Sequence, residues 1–182
     1  MSNSAEQQSL AEKATLLGSA DPLIGMVIDG RYRVEKVLGE GGMGLVYRAT
    51  HVVLNKPLAV KVLRAEVSNN EEVIARFRQE AQSATAIGNQ HIIDVLDFGT
   101  LPDGATYFVM EFLNGRSLTD VIETDAPLAI GRVVHVAKQL CDALGAAHGA
   151  GIVHRDLKPD NVFLVHDVEV AGGERVKLLD FG

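Results

Sequence analysis

The stretch from His154 to Asn161 constrains this chain more than any other part of its sequence. It holds a carboxylate that can accept a proton, on Asp156, and a lysine that can hold a phosphate, Lys158. Asn161 adds an amide oxygen that can bind a hard cation such as Mg²⁺. A proline fixes the backbone between them, so the loop is partly pre-set. A second carboxylate suited to a metal, on Asp180, comes much later, and the fold has to bring it back to this loop.

A glycine-rich turn between two strand-like runs lies in the first third of the chain. The apolar pattern predicts a strand from Arg31 to Leu38 and another from Leu45 to Thr50, with residues 39–44 joining them. A dinucleotide-binding turn would open a helix after its last glycine, whereas strand formers follow here. The order suits a hairpin laid over phosphates, because bare backbone amides can approach phosphate oxygens. No GxxxxGK[ST] motif occurs, so a P-loop enzyme is not expected.

A lysine on a third predicted strand has a candidate partner on the first predicted helix. Lys61 lies in the strand from Pro57 to Leu63, and from this strand alone the ordinary outcome, a lysine that snorkels to solvent, is favoured. A capping pattern at residues 68–71 predicts a helix that runs to Gly88. Glu80 lies on the face that the apolar residues of this helix present inward, where a solvated charge would be poorly placed.

The rest of the chain divides into two strands, two helices and a hairpin. A long amphipathic helix follows a short one and leads into the His154–Asn161 loop, and the hairpin delivers Asp180. The predicted strands cover residues 91–99 and 106–112, the helices residues 115–126 and 130–147, and the hairpin residues 162–165 and 175–179.

Composition excludes several classes of protein. With 182 residues and 47% hydrophobic content the chain can bury a core. A net charge of −7 and a pI near 5.3 argue against a general nucleic-acid binder. No apolar run approaches the roughly 18 residues of a membrane helix, and no secretion signal is present, so a cytoplasmic location is expected. The single cysteine, Cys141, is expected in the core.

Taken together, these segments resemble the eukaryotic-type protein kinases, and the run from Gly39 to Thr50 looks most like bacterial Ser/Thr protein kinases. His154–Asn161 resembles the catalytic loop and Asp180–Gly182 the metal-binding motif of that family. The resemblance covers residues 31–182 and implies an α+β kinase fold with a five-stranded antiparallel N-terminal lobe, one helix, and an incomplete, mainly helical C-terminal lobe. The expected divisions are a flexible leader at 1–29, the N-terminal lobe and hinge at 30–113, and part of the C-terminal lobe at 114–182.

The resemblance implies an ATP-dependent serine/threonine kinase that transfers the γ-phosphate of Mg-ATP to a Ser/Thr hydroxyl. Asp156 would orient that hydroxyl and accept its proton, and Lys158 would lie near the γ-phosphate. Lys61, buried and paired with Glu80, would hold the α- and β-phosphates. The remaining implied contacts are Mg²⁺ at Asn161 and Asp180, and ATP at Leu38, Gly39, Gly41, Gly44, Val46, Ala59, Met110, Glu111, Leu113, Phe163 and Leu179.

The family pattern continues past Gly182 with an activation segment and further helices. The chain is therefore expected to be a truncated catalytic domain in bacterial signalling, and the alternative is a non-catalytic fragment that binds ATP or a partner. The expected partner is a protein substrate with a Ser/Thr hydroxyl, with no nucleic acid and no membrane segment. Self-association is also expected, because the apolar stripe of the long helix is covered by downstream helices in the family.

Overall fold

A six-stranded antiparallel sheet forms the first part of the fold. The computed structural model describes residues 21–68, 70–170 and 172–181. Within these residues the spatial order of the strands is β1-β2-β3-β4-β6-β5. Their bounds are Val27–Ile28 for β1, Tyr32–Glu40 for β2, Gly44–His51 for β3, Pro57–Leu63 for β4, Val95–Thr100 for β5 and Thr106–Glu111 for β6.

Three α-helices and a second, three-stranded antiparallel sheet complete the described structure. The second sheet has the order β7-β8-β9, and β8 pairs with both of its neighbours. No helix in the described part of the chain has the length and apolarity needed to cross a membrane. The bounds are Glu71–Ile87 for α1, Leu118–Asp125 for α2, Ile130–Gly149 for α3, Gly115–Ser117 for β7, Val162–His166 for β8 and Glu174–Leu178 for β9.

The two faces of the large sheet pack against different partners. The period of two along β4 places Val60 and Val62 in an apolar cluster on one face with Tyr47, Tyr107 and others from β2, β3 and β6. The opposite face of the sheet receives α1. There Leu63 and Phe108 pack against Phe77 and Ala81 of the helix, with the Phe77 and Phe108 ring centroids 4.8 Å apart.

A second core joins the two halves of the molecule. Ala143 and Ala147 of α3 and Val176 and Leu178 of β9 are completely buried in it. Ile92, from the segment that follows α1, packs in the same cluster and forms an isolated parallel bridge with Leu178. The segment that follows α1 and the β8–β9 hairpin, which leads to Asp180, therefore share one core.

The fold class agrees with the prediction, but several details differ. A short extra strand, β1, pairs with β2, and the Tyr47 hydroxyl donates to Asp21 at 2.8 Å, so residues 21–28 are part of the fold and not of a leader. Residues 1–20 of the predicted leader, and Gly182, lie outside the described residues. Cys141 was predicted in the core and is exposed, because it lies on a solvent-facing side of α3.

Three predicted element boundaries also move. Residues 115–117, predicted as the start of the short helix, form β7. The strand predicted from residue 91 begins at Val95, because His91 and Ile93 form backbone hydrogen bonds with Leu178, the last residue of β9. Helix α1 is capped by Asn70 rather than by Ser68: the Asn70 side chain accepts from the backbone N–H groups of residues 72 and 73. The helix ends at Gly88, whose left-handed φ of 59° closes it as expected.

Gly44 is the glycine of the β2–β3 turn that the fold itself requires. It lies opposite Leu63 on β4, and a Cβ at this position would come within 2.2 Å of the carbonyl oxygen of Val62. At Gly39 an added Cβ would meet nothing within 4 Å, and its φ is outside the left-handed region. Close packing of β3 against β4 therefore requires glycine at Gly44 but not at Gly39.

We expect Gly44→Ala to lower the free energy of unfolding by about 1–3 kcal/mol, because β3 and β4 must separate to admit the methyl group. Gly39→Ala is the matched control and should change stability by no more than about 0.5 kcal/mol. Urea denaturation of both variants checks the expectation. Equal stability of the two variants would contradict it.

Candidate active site

The ammonium group of Lys61 lies between two carboxylates that come from distant parts of the chain. Its Nζ is 2.6 Å from Glu80 Oε1, on α1, and 2.9 Å from Asp180 Oδ1, just after β9. Lys61 and Glu80 are buried, and the ammonium also lies 5.8 Å from the centre of the Phe108 ring. The lysine is therefore held inside the sheet–helix interface and does not snorkel to solvent.

The charges of this cluster depend on one another. Burial lowers the pKa of Lys61, but the attraction of Glu80 and Asp180 outweighs it, and the net shift is upward. Burial raises the pKa of Glu80 to about 7 against the opposing pull of Lys61. Although burial opposes it, Lys61 and Glu80 hold the pKa of Asp180 below its ordinary value. One ammonium is thus shared by two carboxylates. As pH falls, the more deeply buried of them, Glu80, takes up a proton before Asp180 does.

Asp156 lies in the His154–Asn161 loop with its side chain open to solvent. Lys158 Nζ donates to Asp156 Oδ2 at 2.8 Å, and the side-chain nitrogen of Asn161 donates to the Asp156 carbonyl oxygen at 2.8 Å and to Oδ2 at 3.2 Å. The hydrogen bond from Lys158 is the main reason why the pKa of Asp156 lies below its ordinary value. Asp156 is therefore an ionised, pre-oriented carboxylate that a ligand can reach.

His154 connects this loop to the end of β9. Its Nε2 is 2.8 Å from the carbonyl oxygen of Leu179, and its ring lies 4.8 Å from that of Phe181. The backbone N–H of Leu179 donates in turn to the carbonyl oxygen of Asn161 at 2.8 Å. These contacts bring Asn161 and Asp180 into neighbouring positions, although they are far apart in sequence.

Two residues of the site have strained backbones. Arg155 has φ of 64° and Asp180 has φ of 53°, in the left-handed region that side chains with a Cβ rarely occupy. Each such residue costs on the order of 1–2 kcal/mol, and the surrounding contacts have to impose it.

Asn161 and Asp180 offer donor atoms that suit Mg²⁺. Asn161 uses its amide nitrogen for both hydrogen bonds to Asp156, which leaves its amide oxygen for a cation. Asp180 uses Oδ1 for Lys61, and its side chain is 46% exposed. The described residues contain no cluster of three or more His, Cys, Asp or Glu side chains suited to a metal. Mg²⁺ does not require such a cluster, because it binds through one or two protein ligands, phosphate oxygens and water.

The predicted apolar contacts of the nucleotide lie along one face of the large sheet and near the second core. Val46 is paired with Lys61, and Ala59 with Met110, so these side chains share the face that carries the ammonium. A small cavity of about 20 Å³ is lined by Glu80, Met110, Leu179 and Asp180 among others. Ala59 is buried, Leu38, Gly39 and Gly41 are exposed, and Val46, Met110, Glu111, Leu113, Phe163 and Leu179 are half-buried.

A larger cavity of about 460 Å³ lies on the other face of the same sheet, where Tyr47, Val62 and Leu101 contribute to its lining. None of the predicted site residues lines it. We therefore locate the site by its charged groups and not by cavity volume.

Sequence reasoning missed the partner of the Glu111 side chain. Lys177 Nζ lies 2.6 Å from Glu111 Oε1, and Lys177 is buried. The only available signal was a lysine between two apolar residues, Val176 and Leu178, in a predicted strand. That pattern indicates a lysine in need of a partner but does not identify it.

Comparison with known proteins gives one consistent result. The profile of the family described as "Protein kinase domain" matches residues 32–182. The serine/threonine-protein kinases pkn3 and Pkn1 of Myxococcus xanthus are 44% and 46% identical to the chain over 89% and 93% of its length. PrkC of Bacillus subtilis, also a serine/threonine-protein kinase, is 38% identical over 88% of the chain. The chain spans 29%, 24% and 24% of these three curated relatives.

Solved structures with the same fold include the PknI kinase domain of Mycobacterium tuberculosis. It matches with a TM-score of 0.71 and 31% identity, over 89% of this chain and 63% of that one.

The buried imidazole of His154 predicts a pH dependence of stability. Burial lowers the pKa of His154, and its Nδ1 has no hydrogen-bond partner among the described residues. An unfolded chain protonates this ring near pH 6.5, whereas the folded chain resists protonation until lower pH. The contribution of His154 to the free energy of unfolding should therefore fall as pH decreases below about 6.5, whereas the raised pKa of Glu80 acts in the opposite direction.

Urea denaturation at about pH 7.5 and about pH 5.5 measures this slope. We expect a smaller slope for His154→Gln, which keeps a donor for the Leu179 carbonyl oxygen but has no proton to take up. His166→Gln, at an exposed position on β8, is the control and should keep the wild-type slope. An unchanged slope in His154→Gln would show that this histidine does not contribute.

Proposed function

The chain belongs to the protein kinase domain family, and on that premise we propose that its site binds Mg-ATP and serves serine/threonine phosphorylation. In this proposal the γ-phosphate of ATP passes to the hydroxyl of a serine or threonine in a protein substrate. A cytoplasmic location, as expected from the sequence, is part of the proposal.

The observation that carries the proposal is the position of the Lys61 ammonium. It is buried, yet it lies 2.6 Å from Glu80 and 2.9 Å from Asp180 at the border of the exposed loop that holds Asp156. Burying the Lys61 and Glu80 charges together adds little to stability, because desolvation offsets their attraction. A ligand with several negative oxygens would account for this arrangement, because the Lys61 ammonium can bind two phosphates while Glu80 holds that ammonium in place.

The glycines of the β2–β3 turn support a phosphate ligand in a second way. An added Cβ would meet no atom within 4 Å at Gly39 or Gly42, and at Gly41 only the carbonyl oxygen of Gly44 at 3.9 Å. The protein itself therefore leaves room for side chains at these three positions. In our proposal the phosphates of ATP take that room, and bare backbone N–H groups contact them.

The residues of the loop divide the chemistry between them. Mg²⁺, held by Asn161 and Asp180, would neutralise phosphate charge when it is bound. Lys158, which donates to Asp156 in the ligand-free molecule, would turn to the γ-phosphate. Asp156 would accept a hydrogen bond from the substrate hydroxyl and later its proton. Because the pKa of Asp156 is lowered, it is a weak base, and its main contribution is to orient the hydroxyl.

The adenine ring would lie between the two lobes. The proposed polar contacts are the backbone groups of Glu111 and Leu113, just after β6. Ala59 and Val46 on the sheet and Leu38 beside the glycine turn would cover one face of the ring. Phe163 and Leu179 would cover the other, with Met110 at the back of the pocket.

We expect Lys61→Met to weaken the binding of Mg-ATP by on the order of tenfold or more, because a charge-assisted contact to two phosphates is lost. Adenosine has no phosphates, so its affinity should not change. Lys138→Met, which removes an exposed lysine of α3, is the matched control. Titration calorimetry measures all three proteins. Equal affinity of Lys61→Met and wild type for ATP would remove Lys61 from the site.

A second expectation concerns turnover by the full natural protein. Asp156→Asn should lower kcat by roughly 10²–10⁴-fold and leave ATP affinity unchanged, because Asp156 acts on the incoming hydroxyl and not on the nucleotide. Asp142→Asn, at an exposed position on α3, is the control for the loss of one carboxylate. Labelled-phosphate transfer to a serine- or threonine-containing peptide gives the rates. ATP binding without any transfer by wild type would instead favour a non-catalytic nucleotide-binding role.

A further inference from the structure

Lys177 is a buried lysine that the proposed chemistry does not use. It lies on β9 and is 8% exposed, and its Nζ donates to Glu111 Oε1 at 2.6 Å and to the carbonyl oxygen of Ile92 at 3.2 Å. Its neighbours on the strand, Val176 and Leu178, point into the second core, so the Lys177 side chain lies on the opposite face of β9, where it is paired with Phe163 of β8. The lysine is therefore buried by its contacts with Glu111 and the Ile92 carbonyl oxygen, outside that core.

Glu111, the last residue of β6, forms hydrogen bonds both with Lys177 and with the backbone of Asp94. Its Oε1 also accepts from the backbone N–H of Asp94 at 2.9 Å, and its own backbone N–H donates to the Asp94 carbonyl oxygen at 3.0 Å. The ammonium of Lys177 thus joins three stretches of chain at one point: the end of β6, the segment from Ile92 to Asp94, and β9.

Two of these stretches lead directly into the proposed nucleotide site. The end of β6 continues into the backbone that we assign to adenine. The chain after β9 continues through Leu179 to Asp180. The backbone N–H of Leu179 donates to the Asn161 carbonyl oxygen at 2.8 Å, and Asp180 Oδ1 lies 2.9 Å from Lys61 Nζ. A displacement at Lys177 would therefore move the adenine contact relative to the residues assigned to phosphate and metal.

Net stability does not account for this ion pair. An ion pair with a buried lysine contributes little more than apolar side chains of the same size, because the loss of hydration offsets the attraction. Its geometry, in contrast, is strict: if the half-buried Glu111 moves away, Lys177 is left as an uncompensated buried charge. Such a pair holds two elements in one relative position.

We infer that Glu111 and Lys177 are positioning residues for the nucleotide site, and that their ion pair fixes the end of β6 against the strand that leads to Asp180. The inference rests on the proposed function. Neither side chain contacts the phosphates in it, and both act through the backbone segments that they join.

The test is a double-mutant cycle read out by titration with Mg-ATP and, separately, with adenosine. Lys177→Met and Glu111→Gln should each weaken the binding of both ligands by on the order of tenfold, because the adenine contact itself is displaced. The double variant should bind no more weakly than the weaker single variant, since the two side chains act as one unit. Lys138→Met is again the matched control and should bind like wild type.

The adenosine measurement separates this inference from the proposed function. Lys61→Met should affect ATP alone, whereas the Glu111 and Lys177 variants should affect both ligands. If wild type bound neither ligand, the proposed function and the inference would both be wrong. If wild type binds, then unchanged or tighter adenosine binding in both single variants, or losses that add in the double variant, would overturn the inference alone.

Thermal unfolding of each variant identifies a general loss of structure. If Lys177→Met does not fold, Glu111→Gln still tests the inference, because glutamine keeps an acceptor for the Asp94 N–H while removing the charge that Lys177 faces. A folded Glu111→Gln with wild-type affinity for adenosine would then overturn it.

Discussion

One ammonium group shared by two carboxylates sets the relative positions of three parts of the chain at the proposed nucleotide site. Lys61 comes from the middle of the sheet, Glu80 from the helix that packs on it, and Asp180 from the segment after β9. Lys61 and Glu80 are buried and cannot be left unpaired at acceptable cost, and Asp180, which is partly exposed, joins them through the same ammonium. The sheet, α1 and the end of the hairpin are therefore bound to one another by electrostatics as well as by apolar packing.

The two uses of glycine in one turn show how the fold and the site make separate demands on neighbouring residues. At Gly44 the opposite strand approaches so closely that a methyl group has no place. At Gly39 and Gly41 the protein leaves open space, and in our proposal the phosphates of the nucleotide use it. The shared core around Leu178 then links this turn, through the sheet, to the loop that carries Asp156.

Much of this arrangement is predictable from sequence because it depends on periodicity. The period along α1 puts Glu80 on an inward face, and the β8–β9 hairpin follows from two short runs of strand-forming residues. For Lys61 the strand alone favoured exposure to solvent, and its burial was expected only from the family resemblance. Periodicity does not identify the partner of a residue across a long sequence separation. Lys177 is a charge between two apolar residues, but nothing in the sequence points to Glu111 in particular. The Asn70 cap was missed for a related reason, since Ser68 and Asn70 are both good caps and only the path of the chain decides between them.

The described residues contain two buried lysines, and each forms an ion pair with a glutamate. Lys61 pairs with Glu80 on α1, and Lys177 pairs with Glu111 at the end of β6. Lys61 reaches from the sheet towards Asp180, whereas Lys177 reaches from β9 back to Glu111 at the end of β6. The contacts Lys61–Asp180 and Lys177–Glu111 therefore cross the boundary between the lobes in opposite directions. A boundary connected only by a hinge would let the lobes rotate freely, but these two pairs and the core around Leu178 each resist such a rotation at a different point. The nucleotide site that we propose lies between them, and its geometry is set by charges that fold together with the core.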